Sequence, residues 1–331
     1  MGWGPGALRL LLSLVVVVQH LSSLRLGLVA VAVFFMLSGY WVTRLYDQDY
    51  RQGDAPVFRF YLSRVLRVWL PFVAAILIAM ALYAAIGLER DPAHWWALPL
   101  LGISTHNLDP LGISWSLDLE LQFYLLMPLL LPLVAAVPPV WTAAVTVVLW
   151  LAAISLERQT GISLVFVALP AFVAGMAMHL GRLRAGRTWA LGSVIVFAAA
   201  CGGALLFPAT RGAVIYTPSD SPVIPIAVVL SLALAPFVLW TIQCRSRGLD
   251  RLMGDFSYAL YLVHYPLIIA AGHLLGRDFG PVTKLALIVL SLVLSAAFFV
   301  LVDRPLERVR QGIMAKVNAK RRLIPDEPPL A

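Results

Sequence analysis

The stretch Arg9-Leu10-Leu11-Leu12-Ser13-Leu14-Val15-Val16-Val17-Val18-Gln19-His20 puts two ionisable side chains at the ends of a run that otherwise reads as lipid-facing helix. An ionisable group at membrane depth costs free energy, so it faces a protein interior or a water-filled cavity and has a task there. Eleven residues at about 100° each come within roughly 20° of three full turns, and they rise about 16.5 Å. Arg9 and His20 therefore share one helix face at two depths. That face is expected to line a path across the bilayer, with His20 near its outer end.

The rest of the chain agrees with a membrane reading. Its 331 residues are 61% hydrophobic and only 13% charged, with a mean hydropathy of +0.87. Soluble domains carry about 25% charged residues. Apolar runs recur along the whole length, each near the roughly 20 residues that span a hydrocarbon core. Ten spans can be drawn, at about 7–23, 27–46, 68–88, 115–135, 139–156, 162–180, 188–208, 222–242, 256–275 and 282–302. The fold class expected is all-α, a polytopic transmembrane bundle over 1–305, followed by a basic tail, 306–331. The first 22 residues have the outline of a signal peptide, but no clear Ala-x-Ala site follows, so they are read as the first span.

The basic residues orient the bundle. With the N-terminus inside, 19 of the 25 Lys and Arg fall on the cytoplasmic side: Arg9, the loops 44–67, 182–187 and 245–251, and the tail from Arg304. Six fall outside: Arg25, Arg90, Arg158, Arg211, Arg277 and Lys284. That asymmetry follows the positive-inside rule and places both termini in the cytoplasm. It also requires a turn at the uncharged Pro138-Pro139, since without one every later basic loop would lie outside. The net charge of +8 is thus a topology signal and carries no expectation of nucleic acid. Cys201 and Cys244 are not expected to form a disulfide. No metal-ligand spacing is present, so no metal is expected.

Five constellations stand out. In Phe58–Trp69, Arg64 and Arg67 are helix neighbours, with Arg59 close by, and guanidinium groups grip phosphate through two hydrogen bonds. This segment is either a phosphate clamp for a cofactor or an interfacial helix touching lipid phosphates. Ser38-Gly39, in the run Phe34–Tyr40, allows a close helix approach and supplies a hydroxyl. In Ser114–Tyr124, Trp115 suits the interface belt. Glu120 lies about 7.5 Å deeper, at a depth like that of His20, where a carboxylate can orient an imidazole. The bland alternative makes Asp118 and Glu120 structural. His264, in Gly254–Pro266, lands near mid-bilayer as either a core residue or a proton handler, and Pro266 is expected to kink its helix. Asp303-Arg304-Pro305 is expected to end the last span.

Taken together and in order, these pieces resemble the acyltransferase 3 family of membrane O-acyltransferases. The chain has Arg-x10-His (Arg9, His20), Phe-Phe-x-x-Ser-Gly-Tyr (Phe34 to Tyr40), Arg-x-x-Arg (Arg64, Arg67) and Trp-Ser-Leu-x-x-Glu-x-x-Phe-Tyr (Trp115 to Tyr124). It then has Ser-Tyr-x-Leu-Tyr-Leu-x-His-x-Pro (Ser257 to Pro266) and acid-Arg-Pro (Asp303 to Pro305). Two positions depart. Ala32 stands where many members carry Asp, and Asp303 where Glu is more usual.

The resemblance implies transfer of an acyl group, usually acetyl, from cytoplasmic acyl-CoA to a hydroxyl of an extracytoplasmic or membrane-associated glycan or lipid-linked saccharide. The setting implied is a bacterial cytoplasmic membrane, with membrane lipids as neighbours. Arg64, Arg67 and Arg59 would hold CoA phosphates, and Arg9 would meet the pantetheine arm or a phosphate. His20 would be the general base, a role histidine fills near neutral pH, and Glu120 would orient it. Ser38, Tyr124 or His264 would donate to the oxyanion, and Tyr40 and Trp115 are further tunnel candidates. The rival reading is a transporter or flippase that moves a lipid-linked saccharide without chemistry.

Overall fold

The computed structural model describes residues 4–51, 55–106, 109–216 and 223–322. Its order of helices is α1 (Pro5–Leu21), α2 (Leu26–Leu45), α3 (Pro56–Ala85), the short α4 (Ile103–His106), α5 (Trp115–Ala136), α6 (Pro139–Thr160) and α7 (Leu169–Leu180). There follow α8 (Arg187–Leu206), the short α9 (Pro208–Arg211), α10 (Val223–Ala233), α11 (Ala235–Gln243), α12 (Gly248–Leu275), α13 (Pro281–Phe298) and α14 (Arg304–Arg322). Among the described residues there is no strand, only an isolated bridge between Leu24 and Ile215. Helices are what hydrocarbon permits, because each satisfies its own backbone polar groups. The Pro138-Pro139 turn is present between α5 and α6, and both cysteines are free.

Seven helices among the described residues are long and apolar enough to cross a bilayer, or eight if the pair 224–233 and 235–243 counts as one span bent by 55°. Two further apolar helices, Pro5–Leu21 and Val165–Leu180, are shorter. At 1.5 Å per residue, α1 is about 25 Å long. Much of α1 and α7 is buried by other helices, so neither must match the full hydrocarbon thickness.

Three joints differ from the expectation drawn from sequence. Residues 56–67 are the first turns of the continuous 30-residue α3, not a separate loop. The 222–242 span breaks at Leu234, beside Pro236, whose missing N–H favours the first turn of a new helix. Asp303-Arg304-Pro305 ends nothing. A π turn over Phe299–Asp303 carries α13 into α14, and Pro305 sits harmlessly in the first turn of α14. The tail therefore continues as helix against α3, where Arg310 donates to Ser63 at 2.7 Å. The Pro-rich stub, 323–331, lies outside the described residues. α12 runs through Pro266 from Gly248 to Leu275 as one helix.

The pairing of α1 with α12 positions the site. Asp250 accepts hydrogen bonds from the amides of Gly6 at 3.1 Å and Ala7 at 2.9 Å. It thereby caps an α1 N-terminus whose own N-cap, Gly4, contributes no side chain. Seven residues on, Ser13 donates to the carbonyl of Ser257 at 3.0 Å. Seven further on, the rings of His20 and His264 lie 5.4 Å apart. The two helices thus run parallel with contacts every heptad, the geometry of a supercoiled pair. Close approach needs Gly6, where any Cβ would strike the Asp250 carbonyl. Gly39 on α2 and Gly175 on α7 work the same way, a Cβ on either meeting backbone carbonyl of the other helix.

Candidate active site

Two cavities lie along the α1–α12 seam. We call the end of the bundle carrying the α1 N-terminus the basic end, and the opposite end the far end. The first cavity, of about 190 Å³, opens among α1, α2, α3, α5 and α12, and Arg9, Arg64, Arg67, Glu120 and Asp255 supply its charges. The second, of about 860 Å³, lies at the far end and includes His20, Arg90, Tyr265, Arg277 and Lys284 in its wall. Of the two residues expected on one face of α1, Arg9 reaches the first cavity and His20 the second.

The arginines of α3 are not equivalent. Arg67 is enclosed by carboxylates, Glu307 at 3.2 Å, Asp255 at 3.7 Å and Asp303 at 3.8 Å. Asp303 is only 2% exposed, and the π turn beneath it aims it at Arg67. Glu307 is held in turn by Arg310. Arg64 faces the cavity, and its Nε is buried with no hydrogen-bond partner among the described residues. Arg59 has a similarly orphaned Nε, and its guanidinium lies 5.7 Å from the Tyr50 ring. Orphaned buried donors are costly; Arg64 keeps one in the cavity wall and Arg59 keeps one outside it. Arg9 shares the cavity with Glu120, Tyr124 and Asp255.

Glu120 does not meet His20. It accepts hydrogen bonds from Ser38 at 2.8 Å and Tyr124 at 2.5 Å. The reason is depth. Ser38 lies twelve residues into α2, about 18 Å, whereas Glu120 is five residues into α5, about 7.5 Å. Their contact means that α5 starts roughly 10 Å below the far end of α2. The preceding loop dips into the bundle, with Leu100, Leu111 and Ile113 at most 2% exposed. Asp118, fully buried, anchors that loop by accepting from the Gly102 and Ser104 amides and the Ser104 hydroxyl. Asp109, whose carboxyl burial pushes above the usual range, accepts from the Leu111 and Ser114 amides. Trp115, half-buried, sits edge-on to Phe35. Tyr40 turns away from the first cavity, edge-on to Trp41 and His179.

His20 has other neighbours. The Tyr265 ring is 4.1 Å from its own, and His264 is the next ring at 5.4 Å. His264 is fully buried, and its Nδ1 lies 2.9 Å from the Leu260 carbonyl. A carbonyl only accepts, so Nδ1 carries the proton and Nε2 presents a lone pair. That Nε2 is buried with no partner among the described residues. The three groups expected to donate to an oxyanion are therefore committed otherwise. Ser38 and Tyr124 spend their protons on Glu120, and His264 offers its free nitrogen as an acceptor. Between the cavities stands Tyr261, in the wall of the first and 6.0 Å from the His264 ring. Its hydroxyl donates to the Ile113 carbonyl and meets Ser116, each at 2.6 Å.

Asp255, Ser257 and Tyr261 went unassigned in the sequence reading. They lie inside the segment Gly254–Pro266, and helical spacing back from His264 would have put Tyr261 and Ser257 on its face. Among the described residues no cluster of His, Cys, Asp and Glu is arranged to hold a metal ion.

The profile of a family described as the acyltransferase domain matches residues 3–302. Over 314 residues the chain is 26% identical to the exopolysaccharide production protein ExoZ of Rhizobium meliloti (strain 1021), covering 89% of this chain and 93% of that protein. It is 29% identical over 300 residues to the acyltransferase MdmB of Streptomyces mycarofaciens, covering 79% and 73%. A 148-residue stretch is 28% identical to the O-acetyltransferase OatA of Staphylococcus aureus (strain NCTC 8325 / PS 47), covering 39% of this chain and 24% of that protein. No solved structure matches the chain.

Proposed function

Because the chain belongs to the acyltransferase domain family, and so is a membrane acyltransferase, we propose that it carries an acetyl group from cytoplasmic acetyl-CoA to a hydroxyl of an extracytoplasmic glycan. The observation that carries this reading is the pair of cavities on one helical seam. One is lined with arginines at the basic end, and the other holds an imidazole at the far end. In this reading the basic end faces the cytoplasm, in a bacterial inner membrane, and ten apolar segments form the bundle. A relative named for exopolysaccharide production and one named an O-acetyltransferase support a glycan acceptor and an acetyl donor. Family membership sets aside movement of a saccharide without chemistry.

Acyl-CoA is here a substrate, and the residues fit it. Arg64 and Arg59 hold its phosphates with their unspent donors. Arg9, deeper in the cavity, meets the pantetheine arm, with Glu120 balancing its charge. The thioester reaches past Ser257 and Tyr261 towards His20. His20 removes the proton of the acceptor hydroxyl while that oxygen bonds to the thioester carbonyl carbon. The C–S bond then breaks, and the proton passes from the imidazolium to the departing CoA sulfur. His264 takes over the task first expected of Glu120. Its Nε2 lone pair accepts from His20, directly or through one water, and fixes which nitrogen of His20 is the base.

The test compares envelope glycans by mass spectrometry in cells with the protein, without it, and with His20→Ala. One acetyl mass per modified unit is expected to vanish both in its absence and in His20→Ala, with that variant still folded in the membrane. Full acetylation by His20→Ala would overturn the assignment.

A further inference from the structure

Three of the six basic residues at the far end converge on one place. Arg90, from the loop after α3, Arg277, from the α12–α13 turn, and Lys284, on α13, all line the cavity that holds His20. Basic residues are normally scarce on the translocated side of a membrane protein, so their gathering around one cavity wants a cause. Asp278 is the one carboxylate in the wall among the described residues. Among the described residues, none of the three cations lies within 4.0 Å of a carboxylate.

Two details bear on the placement of these charges. Among the described residues the Nε of Arg90 is buried with no hydrogen-bond partner, while its guanidinium rests 4.5 Å from the Tyr83 ring. Lys284 sits at the fourth position of α13, a helix with no acid in its first turn and no capping side chain. A cation there opposes the positive end of the helix dipole. Three cations against one carboxylate in one concavity raise the local concentration of anions and orient them. The cavity volume of about 860 Å³ falls in the range of small-ligand sites, roughly 300–1,000 Å³.

We propose that the acceptor is anionic, a saccharide whose phosphate or carboxylate is held by Arg277, Lys284 and Arg90 so that a neighbouring hydroxyl reaches His20. This rests on the reading of His20 as the base on the acceptor side. The anion is a specificity handle that takes no part in the chemistry. It fixes which hydroxyl of a many-hydroxyl sugar is presented, which a neutral ring in a wide cavity would leave open.

The full chain in phosphatidylcholine nanodiscs is titrated with glucose 1-phosphate, glucuronate and glucose, and separately with CoA. One or both charged sugars are expected to bind, more weakly as salt rises, and glucose is not. Arg277→Gln with Lys284→Gln changes two partly exposed side chains and weakens the charged sugar about tenfold or more, by loss of charge-assisted hydrogen bonds, while Arg277→Lys alone restores part. CoA affinity stays as in wild type. Equal binding of glucose and both charged sugars, or unchanged binding in the double variant, overturns the proposal. Nanodiscs containing phosphatidylglycerol separate the sources of the anion. If lipid headgroups fill the site, charged-sugar binding disappears there and the proposal falls; if it persists, the site is for the acceptor. Loss of CoA binding by wild type would instead break the reading of the first cavity and leave this one standing.

Discussion

Arg64→Ala and Arg67→Ala, three residues apart on α3, are expected to fail in different ways. Arg67 neutralises three carboxylates, and one of them, Asp303, is 2% exposed. Breaking a buried ion pair costs about 3–5 kcal/mol. The Arg67 side chain is 25% exposed, and water takes up part of that loss, so about 2 kcal/mol is the reasonable figure. In a chain of this size that lowers Tm by roughly 4 °C. Arg64 has no acidic partner to abandon: among the described residues it forms no ion pair, and its Nε is unbonded. Its removal leaves Tm unchanged. What it costs is a charge-assisted hydrogen bond to CoA phosphate, about 1.5–3 kcal/mol, or roughly tenfold to a hundredfold in Kd. Thermal unfolding in nanodiscs, followed by CoA titration of the folded fraction, reads both quantities. The reasoning is refuted if Arg64→Ala lowers Tm as far as Arg67→Ala does while binding CoA like wild type.

Three other outcomes are expected. Asp250→Ala strips the cap from α1 and costs about 1–2 kcal/mol, seen as a lower Tm; an unchanged Tm would mean the α1 N-terminus does not depend on it. Gly39→Val forces a side chain into the Phe172 carbonyl and should abolish the monodisperse folded species in size-exclusion chromatography, whereas a normal elution profile would show that α2 and α7 can separate freely. His264→Gln keeps a hydrogen-bond acceptor near His20 and should retain more transfer activity than His264→Leu at equal CoA affinity. Equal activity of the two variants would remove His264 from the surroundings of the base.

The helices were legible because hydropathy and length decide them in a membrane, and Pro138-Pro139 was legible because the basic loops after it demanded a turn. The breaks were not. A straight span and a span bent at Leu234 have the same apolar composition, and no propensity separates α13 ending at Asp303 from α13 continuing through a π turn. The Arg9–His20 face was read from spacing along one helix, and the structure assigns its two ends to two cavities. The Glu120–His20 pair was inferred from depth alone, which assumed that every helix starts at the same level. α5 starts lower, because the loop before it is itself buried, and Glu120 consequently lies level with Arg9. The neighbours of Arg67 come from α12, the π turn and α14, far away in sequence. Only the packing of α3 between those elements brings them together.

The account turns on whether one thioester, anchored at the basic end, reaches the imidazole at the far end. The most direct measurement is a structure of the protein in a nanodisc with a non-hydrolysable thioether analogue of acetyl-CoA. The account predicts the nucleotide phosphates on Arg64 and Arg59, the arm past Arg9, and the acetyl end displacing the Tyr261 side chain to lie beside His20. An acetyl end lodged against Glu120 with Tyr261 still bonded to Ser116, or density for the analogue away from the first cavity, would contradict it.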